Sequence, residues 1–148
     1  MTSKPHSDIT TEGIQVVAAA EYLRPENLPA EYLTADGSGK ASFVYRYRIQ
    51  LTNVGEAAAR LLSRHWIIVD SEGRREEVRG RGVVREFPKL APGESYSYVS
   101  FCPLATNWGT MEGSYSFERD DGSRFQVKIG RFFLVPTAPR LQLESPSK

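Results

Sequence analysis

An all-β, antiparallel sandwich of about seven strands is the fold that this sequence predicts, on three observations. Hydrophobic side chains recur with period two rather than 3.6, turn-forming residues punctuate the chain at short intervals, and no helical stripe of useful length interrupts the pattern. Segment Ser42 to Asn53 shows the alternation best, with Phe43, Tyr45, Tyr47, Ile49 and Leu51 on one face against Arg46, Arg48, Gln50 and Thr52 on the other. Similar patterns mark Gly13 to Tyr22, Arg60 to Asp70, Arg74 to Arg79, Glu94 to Phe101, Thr110 to Arg119 and Ser123 to Val135. Between them lie Asn53-Val54-Gly55, Asp70-Ser71-Glu72-Gly73, Ala91-Pro92-Gly93-Glu94 and Asp120-Asp121-Gly122-Ser123, each with a residue that tolerates positive φ. Such short links make antiparallel hairpins, and parallel α/β folds lose the crossover helices they need.

At 148 residues the chain is the size of one domain. Two polar segments, 1–11 and 138–148, read as flexible tails around a folded unit at 12–137. A composition of 40% hydrophobic and 25% charged residues is that of an ordinary globular protein. The formal net charge of +1 argues against a dedicated nucleic-acid binder, whose footprint is strongly basic. Cys102 is the sole cysteine, so neither an internal disulfide nor a thiolate zinc site can be built, and a reducing cytoplasmic location is expected. Met1 to Thr11 lacks the apolar stretch of a secretory signal, and no uncharged run approaches the roughly 20 residues a membrane helix requires, so no membrane insertion is expected.

Arg60 to Asp70 is apolar on both faces, Leu61, Ile67 and Val69 alternating with Leu62, Trp66 and Ile68, as in a central strand. A buried Trp on such a strand is an immunoglobulin-like hallmark, which assigns Trp66 to the core. Tyr115, just inside the sixth expected strand, suits a tyrosine corner whose phenol bonds back to the preceding loop.

Four blocks then carry a resemblance. Leu61-Leu62-Ser63-Arg64-His65-Trp66-Ile67-Ile68, Gly80-Arg81-Gly82-Val83-Val84, Leu90-Ala91-Pro92-Gly93-Glu94 and Gly109-Thr110-Met111-Glu112-Gly113-Ser114-Tyr115 resemble, in order and spacing, the ApaG domain. The resemblance implies a fibronectin type III-like or immunoglobulin-like sandwich and an indirect link, in bacteria, to cobalt resistance and magnesium efflux. Similar domains are appended to eukaryotic F-box proteins and to a polymerase-delta-interacting protein, which implies protein–protein contact rather than catalysis.

The Gly80-Arg81-Gly82-Val83-Val84-Arg85 segment is close to the GxGxxG fingerprint but ends in Arg85, and Pro88 follows too soon for a helix. A dinucleotide fingerprint works only where the glycines join a strand to a helix N-terminus, so a Gly-rich connecting turn is the expectation. Arg79, Arg81 and Arg85 crowd this stretch and, with the amides of Gly80 and Gly82, make it a candidate anion or partner loop. Trp108, in the Leu104 to Gly109 connection, is a candidate partner anchor forming one docking patch with that loop. His6 and His65 are the only histidines, and no acidic loop has cation-ligand spacing, so no metal and no cofactor are expected. Ser63 and His65 share a strand face without a nucleophile elbow, and Cys102 has no activating neighbour, so no enzyme is expected. These features together point to a binding module for a protein partner, with a small-molecule ligand disfavoured. The alternative is a sensor of a small anionic or metal ligand acting through Gly80 to Arg85.

Overall fold

The computed structural model describes residues 6–28 and 43–136. Among them are nine strands: β1 (Ser7–Thr11), β2 (Ile14–Leu23), β3 (Phe43–Asn53), β4 (Ala59–Asp70), β5 (Arg75–Arg81), β6 (Lys89–Leu90), β7 (Ser95–Leu104), β8 (Gly109–Arg119) and β9 (Arg124–Leu134). Their only helical companion among the described residues is a short 3-10 turn at Pro25–Asn27. All pairings are antiparallel, in one sheet ordered β1-β2-β3-β7 and a second ordered β5-β4-β8-β9, with β6 added beside β4. This is a two-sheet β-sandwich. Far-UV circular dichroism is expected to give a β spectrum with helix below about one-fifth, against roughly a third for an average soluble protein; a larger helical share would contradict the fold.

All seven expected strands are present, and two more join them. Ser7–Thr11, read from sequence as part of a flexible tail over 1–11, pairs with β2 through a two-residue hairpin in which Glu12 (φ 47°) and Gly13 (φ 87°) both turn left-handed. That turn needs positive φ twice, and glutamate at its first position hides it from a reading of turn residues. β1 then closes one side of the sandwich: Thr11 Oγ1 accepts the Lys128 N–H at 3.2 Å, and Ile9 packs onto Gly130, where a Cβ would lie 2.6 Å from its Cδ1. The expected tail 138–148 lies outside the described residues.

The core lies between the sheets and is rich in aromatic rings. Trp66 is 2% exposed and meets Tyr47, Tyr115 and Phe132 edge to face at 5.3, 6.5 and 6.0 Å. Tyr115 is fully buried, but its phenol does not return to a loop. It bonds the phenol of Tyr98 at 2.5 Å, tying β8 of one sheet to β7 of the other, so a cross-sheet bond takes the place of the expected tyrosine corner. Burial raises the pKa of both phenols, so neither ionises near neutrality. Asn53, the one buried polar side chain of the described core, donates to the carbonyls of Ala57 and Leu90 and accepts from the Gly55 N–H.

The second sheet is not regular throughout. Opposite β8, β4 carries a bulge between Leu61 and Ser63, which shifts the alternation by one residue. Leu61 therefore faces the core together with Trp66 and Ile68, whereas strict alternation places it with Ile67 and Val69. Ser63 and His65 alternate with Trp66 beyond the bulge and lie on the outer face of the sheet.

Candidate functional site

The glycine-rich segment is a reversal built on the end of β5. Val83 donates its N–H to the Glu86 carbonyl at 2.9 Å and accepts the Glu86 N–H at 2.7 Å, leaving Val84 (φ 47°) and Arg85 (φ 66°) as the two turn residues. A β-branched residue in left-handed backbone is strained, by about 1–2 kcal/mol. The surroundings hold it there. Val83 is fully buried, the Gly82 N–H donates to the Leu62 carbonyl at 2.8 Å, and the Arg64 guanidinium donates to the carbonyls of Arg81 and Gly82 at 3.1 and 2.8 Å. The outcome is that Val84 (56% exposed), Arg85 and Phe87 (39%) are presented to solvent, with the Arg81 guanidinium 5.3 Å from the Phe87 ring centre.

Chain geometry accounts for both glycines. The Arg64 guanidinium lies against Gly80, where a Cβ would sit 2.6 Å from it, and Gly82 combines φ 63° with a Cβ position 2.4 Å from the Glu86 carbonyl oxygen. No helix follows them, so the phosphate-cradling geometry of a dinucleotide fingerprint is missing.

Beside this turn the outer face of the five-stranded sheet holds an open depression of about 450 Å3. Ser63, Arg64, His65, Arg79, Gly80, Arg81, Ser114, Ser116 and Gln126 line it. Strand register explains the convergence: Arg81, Ser63, Ser116 and Gln126 form one row across β5, β4, β8 and β9, and Arg79, His65, Ser114 and Lys128 form the next. Glu77 borders the second row. It is ionised, its carboxyl held below the usual range by hydrogen bonds from His65 (2.8 Å) and then Arg75, and it also lies 3.6 Å from Arg79. Of the loop residues expected from sequence, Arg79, Gly80 and Arg81 thus line the depression, while Gly82 and Arg85 belong to the adjoining turn. Ser114, Ser116, Gln126 and Lys128 are functional candidates that loop composition does not flag, although the alternation within Thr110 to Arg119 already places the two serines on the face opposite Tyr115.

Trp108 does not join this surface. Arg81 pairs with Ser63 and Gly109 with Asp70, and the stretch from Ser63 to Asp70 spans about 23 Å of strand. The single docking patch expected from sequence is therefore two separate places at opposite ends of β4. Trp108 is 41% exposed, in a loop fixed by the Tyr45 phenol donating to the Asn107 carbonyl (2.6 Å) and by the Ser71 N–H donating to Thr106 Oγ1 (3.0 Å).

Other reactive groups stand apart. The buried Cys102 thiol has its pKa pushed up to about 12 by desolvation and by Glu76, which keeps it protonated. Among the described residues no group of three or more His, Cys, Asp or Glu side chains is placed to hold a metal ion, and no helix is long and apolar enough to cross a membrane.

Comparison with known proteins agrees with the fold and with the four sequence blocks. The family model described as the ApaG domain matches residues 34–119. The chain is 46% identical over 129 residues to Protein ApaG of Anaeromyxobacter dehalogenans strain 2CP-C, covering 87% of this chain and 94% of that protein. It is 45% identical over 125 residues to Protein ApaG of Azoarcus sp. strain BH72, covering 84% and 91%. A crystal structure of the ApaA protein from Bordetella pertussis superposes with a TM-score of 0.72 at 40% identity, covering 83% of this chain and 93% of that one. An X-ray structure of a structural-genomics target gives 0.74 at 34% identity, covering 90% and 95%. With a family model over more than half of its length and relatives of matching extent, the chain belongs to the ApaG family.

Proposed function

We propose that this chain is a non-catalytic binding module of the bacterial cytoplasm that docks a protein partner at the Val84 to Phe87 turn, with an indirect part in cobalt and magnesium homeostasis. The observation that carries the reading is the strained turn. Two non-glycine residues hold left-handed backbone in a place where Asn-Gly would be relaxed, and strain kept in place by surrounding contacts is characteristic of functional surfaces. What the strain maintains is an exposed valine, an exposed phenylalanine and two arginines on a rigid support, a composition suited to a partner's apolar and acidic groups.

The test separates stability from binding. Replacing the turn by its relaxed sequence, Val84→Asn with Arg85→Gly, is expected to raise stability by about 1–2 kcal/mol in urea denaturation. The same variant is expected to lose at least about tenfold of its cross-linking to partner in bacterial lysate. Unchanged cross-linking by the stabilised variant would remove the turn from the interface.

A second reading, a sensor of a small anion through Gly80 to Arg85, draws support from the depression beside the turn, whose described lining residues include arginines and no carboxylate. Its metal-sensing form lacks a ligand cluster among the described residues.

A further inference from the structure

We infer that the depression on the outer face of the five-stranded sheet is a seat for a phosphoryl-class oxyanion, a diphosphate or a phosphorylated group, held by side chains of β5, β4, β8 and β9. This rests on the anion-recognition reading and moves the site from the loop backbone to the sheet face.

Unused hydrogen-bonding capacity marks the depression. The hydroxyls of Ser63, Ser114 and Ser116 and the amide of Gln126 make no side-chain hydrogen bond among the described residues, and all four line the same space. Polar groups on a sheet face ordinarily alternate with charge or bond their neighbours across strands. Here three donors of one kind sit together, about 5 Å apart across strands and about 7 Å apart along them. That spacing lets several reach one group of roughly phosphate size.

Charge favours the same occupant. Arg79 and Arg81 line the depression with no carboxylate among the described lining residues; Arg64 borders it too, but its guanidinium is engaged by the carbonyls of Arg81 and Gly82. Carboxylates elsewhere on this face are engaged: Glu77 by His65, Arg75 and Arg79, Glu112 by Arg131, and Glu118 by Arg124. The Arg81 guanidinium has no carboxylate partner among the described residues and lies over the Phe87 ring face. Lys128 continues the second row.

Donor geometry selects the ligand class. A carboxylate has two oxygens in one plane, whereas guanidinium, hydroxyl and amide donors from four strands suit a tetrahedral group with three or four acceptors. About 450 Å3 exceeds a single phosphate and leaves room for a second phosphoryl or for the residue that carries the first. Among the described residues no aromatic side chain other than the His65 imidazole, which is bonded to Glu77, lines the depression to stack a base, so recognition rests on the phosphoryl group rather than on a nucleoside.

The experiment is isothermal titration calorimetry of the full chain with inorganic pyrophosphate at low ionic strength. Saturable binding at about 0.1 mM or tighter is expected, from charge-assisted bonds to a small ligand. Ser114→Ala with Ser116→Ala removes two hydroxyls without altering charge, and is expected to weaken binding about tenfold with an unchanged melting temperature. No saturable heat up to about 10 mM, or equal affinity in the double serine variant, would overturn the seat. Binding that is lost only in Arg81→Ala and not in the serine variant would return the anion to the loop, leaving the broader anion reading standing. A short phosphoserine peptide in the same titration identifies the source. If it binds more than tenfold tighter than inorganic phosphate, the group arrives on a partner chain; equal affinity assigns the seat to a free anion. The variant Val84→Asn with Arg85→Gly is expected to retain pyrophosphate binding, which separates this seat from the partner-docking turn.

Discussion

Trp66→Ala is expected to lower the stability of the domain by about 3–5 kcal/mol in urea denaturation, a large share of the 5–15 kcal/mol that holds an average domain together. The indole lies at the centre of the sandwich, edge to face with Tyr47 from one sheet and with Tyr115 and Phe132 from the other. Three rings fixed by their own strands cannot collapse into the space it would leave, so the cavity term stays near its full size. The indole nitrogen works in the opposite direction. It is buried and has no hydrogen-bond partner among the described residues, a desolvation cost of about 1–3 kcal/mol that disappears with the side chain. Trp66→Phe, which keeps much of the ring volume and removes that orphan donor, is therefore expected to cost less than about 2 kcal/mol. A loss below about 1 kcal/mol in Trp66→Ala would show that the sheets close over the site and that the aromatic cluster does not hold them apart.

Trp66 was legible in the sequence because an apolar residue within a doubly apolar strand has few places to go except the core. The strand boundaries were legible for the same reason, since period-two alternation between Gly and Asp turns leaves little freedom. What stayed hidden were features of register. The bulge at Leu62 is a property of the pairing of β4 with β8, and without it Leu61 would face outward with Ser63 and His65. The separation of Trp108 from the Gly80 to Arg85 turn is likewise a matter of which strand ends lie together, which loop composition does not encode. The polar face was hidden in a third way: Ser114, Ser116 and Gln126 are unremarkable singly and become a constellation only across neighbouring strands. The strained turn escaped because valine and arginine are poor left-handed residues, so local preference points away from the conformation that tertiary contacts impose.

Gly113→Ala is expected to be the most disruptive single-methyl change in the described chain, lowering stability by at least about 4 kcal/mol and leaving little folded protein at physiological temperature. Glycine-to-alanine replacement in ordinary backbone stabilises by about 0.4–1 kcal/mol through the unfolded state, so the expected sign is reversed here by contact alone. Gly113 faces Trp66 in the β4–β8 ladder, and an added Cβ would stand 2.0 Å from the His65 carbonyl oxygen, 3.0 Å from its carbon and 3.1 Å from the Trp66 Cα. Carbon–oxygen contacts between adjacent strands run near about 3.3–3.6 Å, so the two backbones would have to part by more than about 1 Å. These atoms are main chain, with no flexible side-chain end that could swing aside. Parting them breaks ladder bonds worth about 1 kcal/mol each in the middle of the sheet, and loosens Trp66 at the same step. It also displaces His65 from its place opposite Ser114, so whatever folded fraction survives is expected to bind pyrophosphate weakly. Gly122→Ala is the matched comparison: it has φ 88° but no described residue within 4 Å of its Cβ position, and is expected to cost only the about 1–2 kcal/mol of left-handed backbone. If the two variants unfold at the same urea concentration, backbone conformation and not strand contact governs position 113, and the tight approach of β4 to β8 does not set the geometry of the outer face.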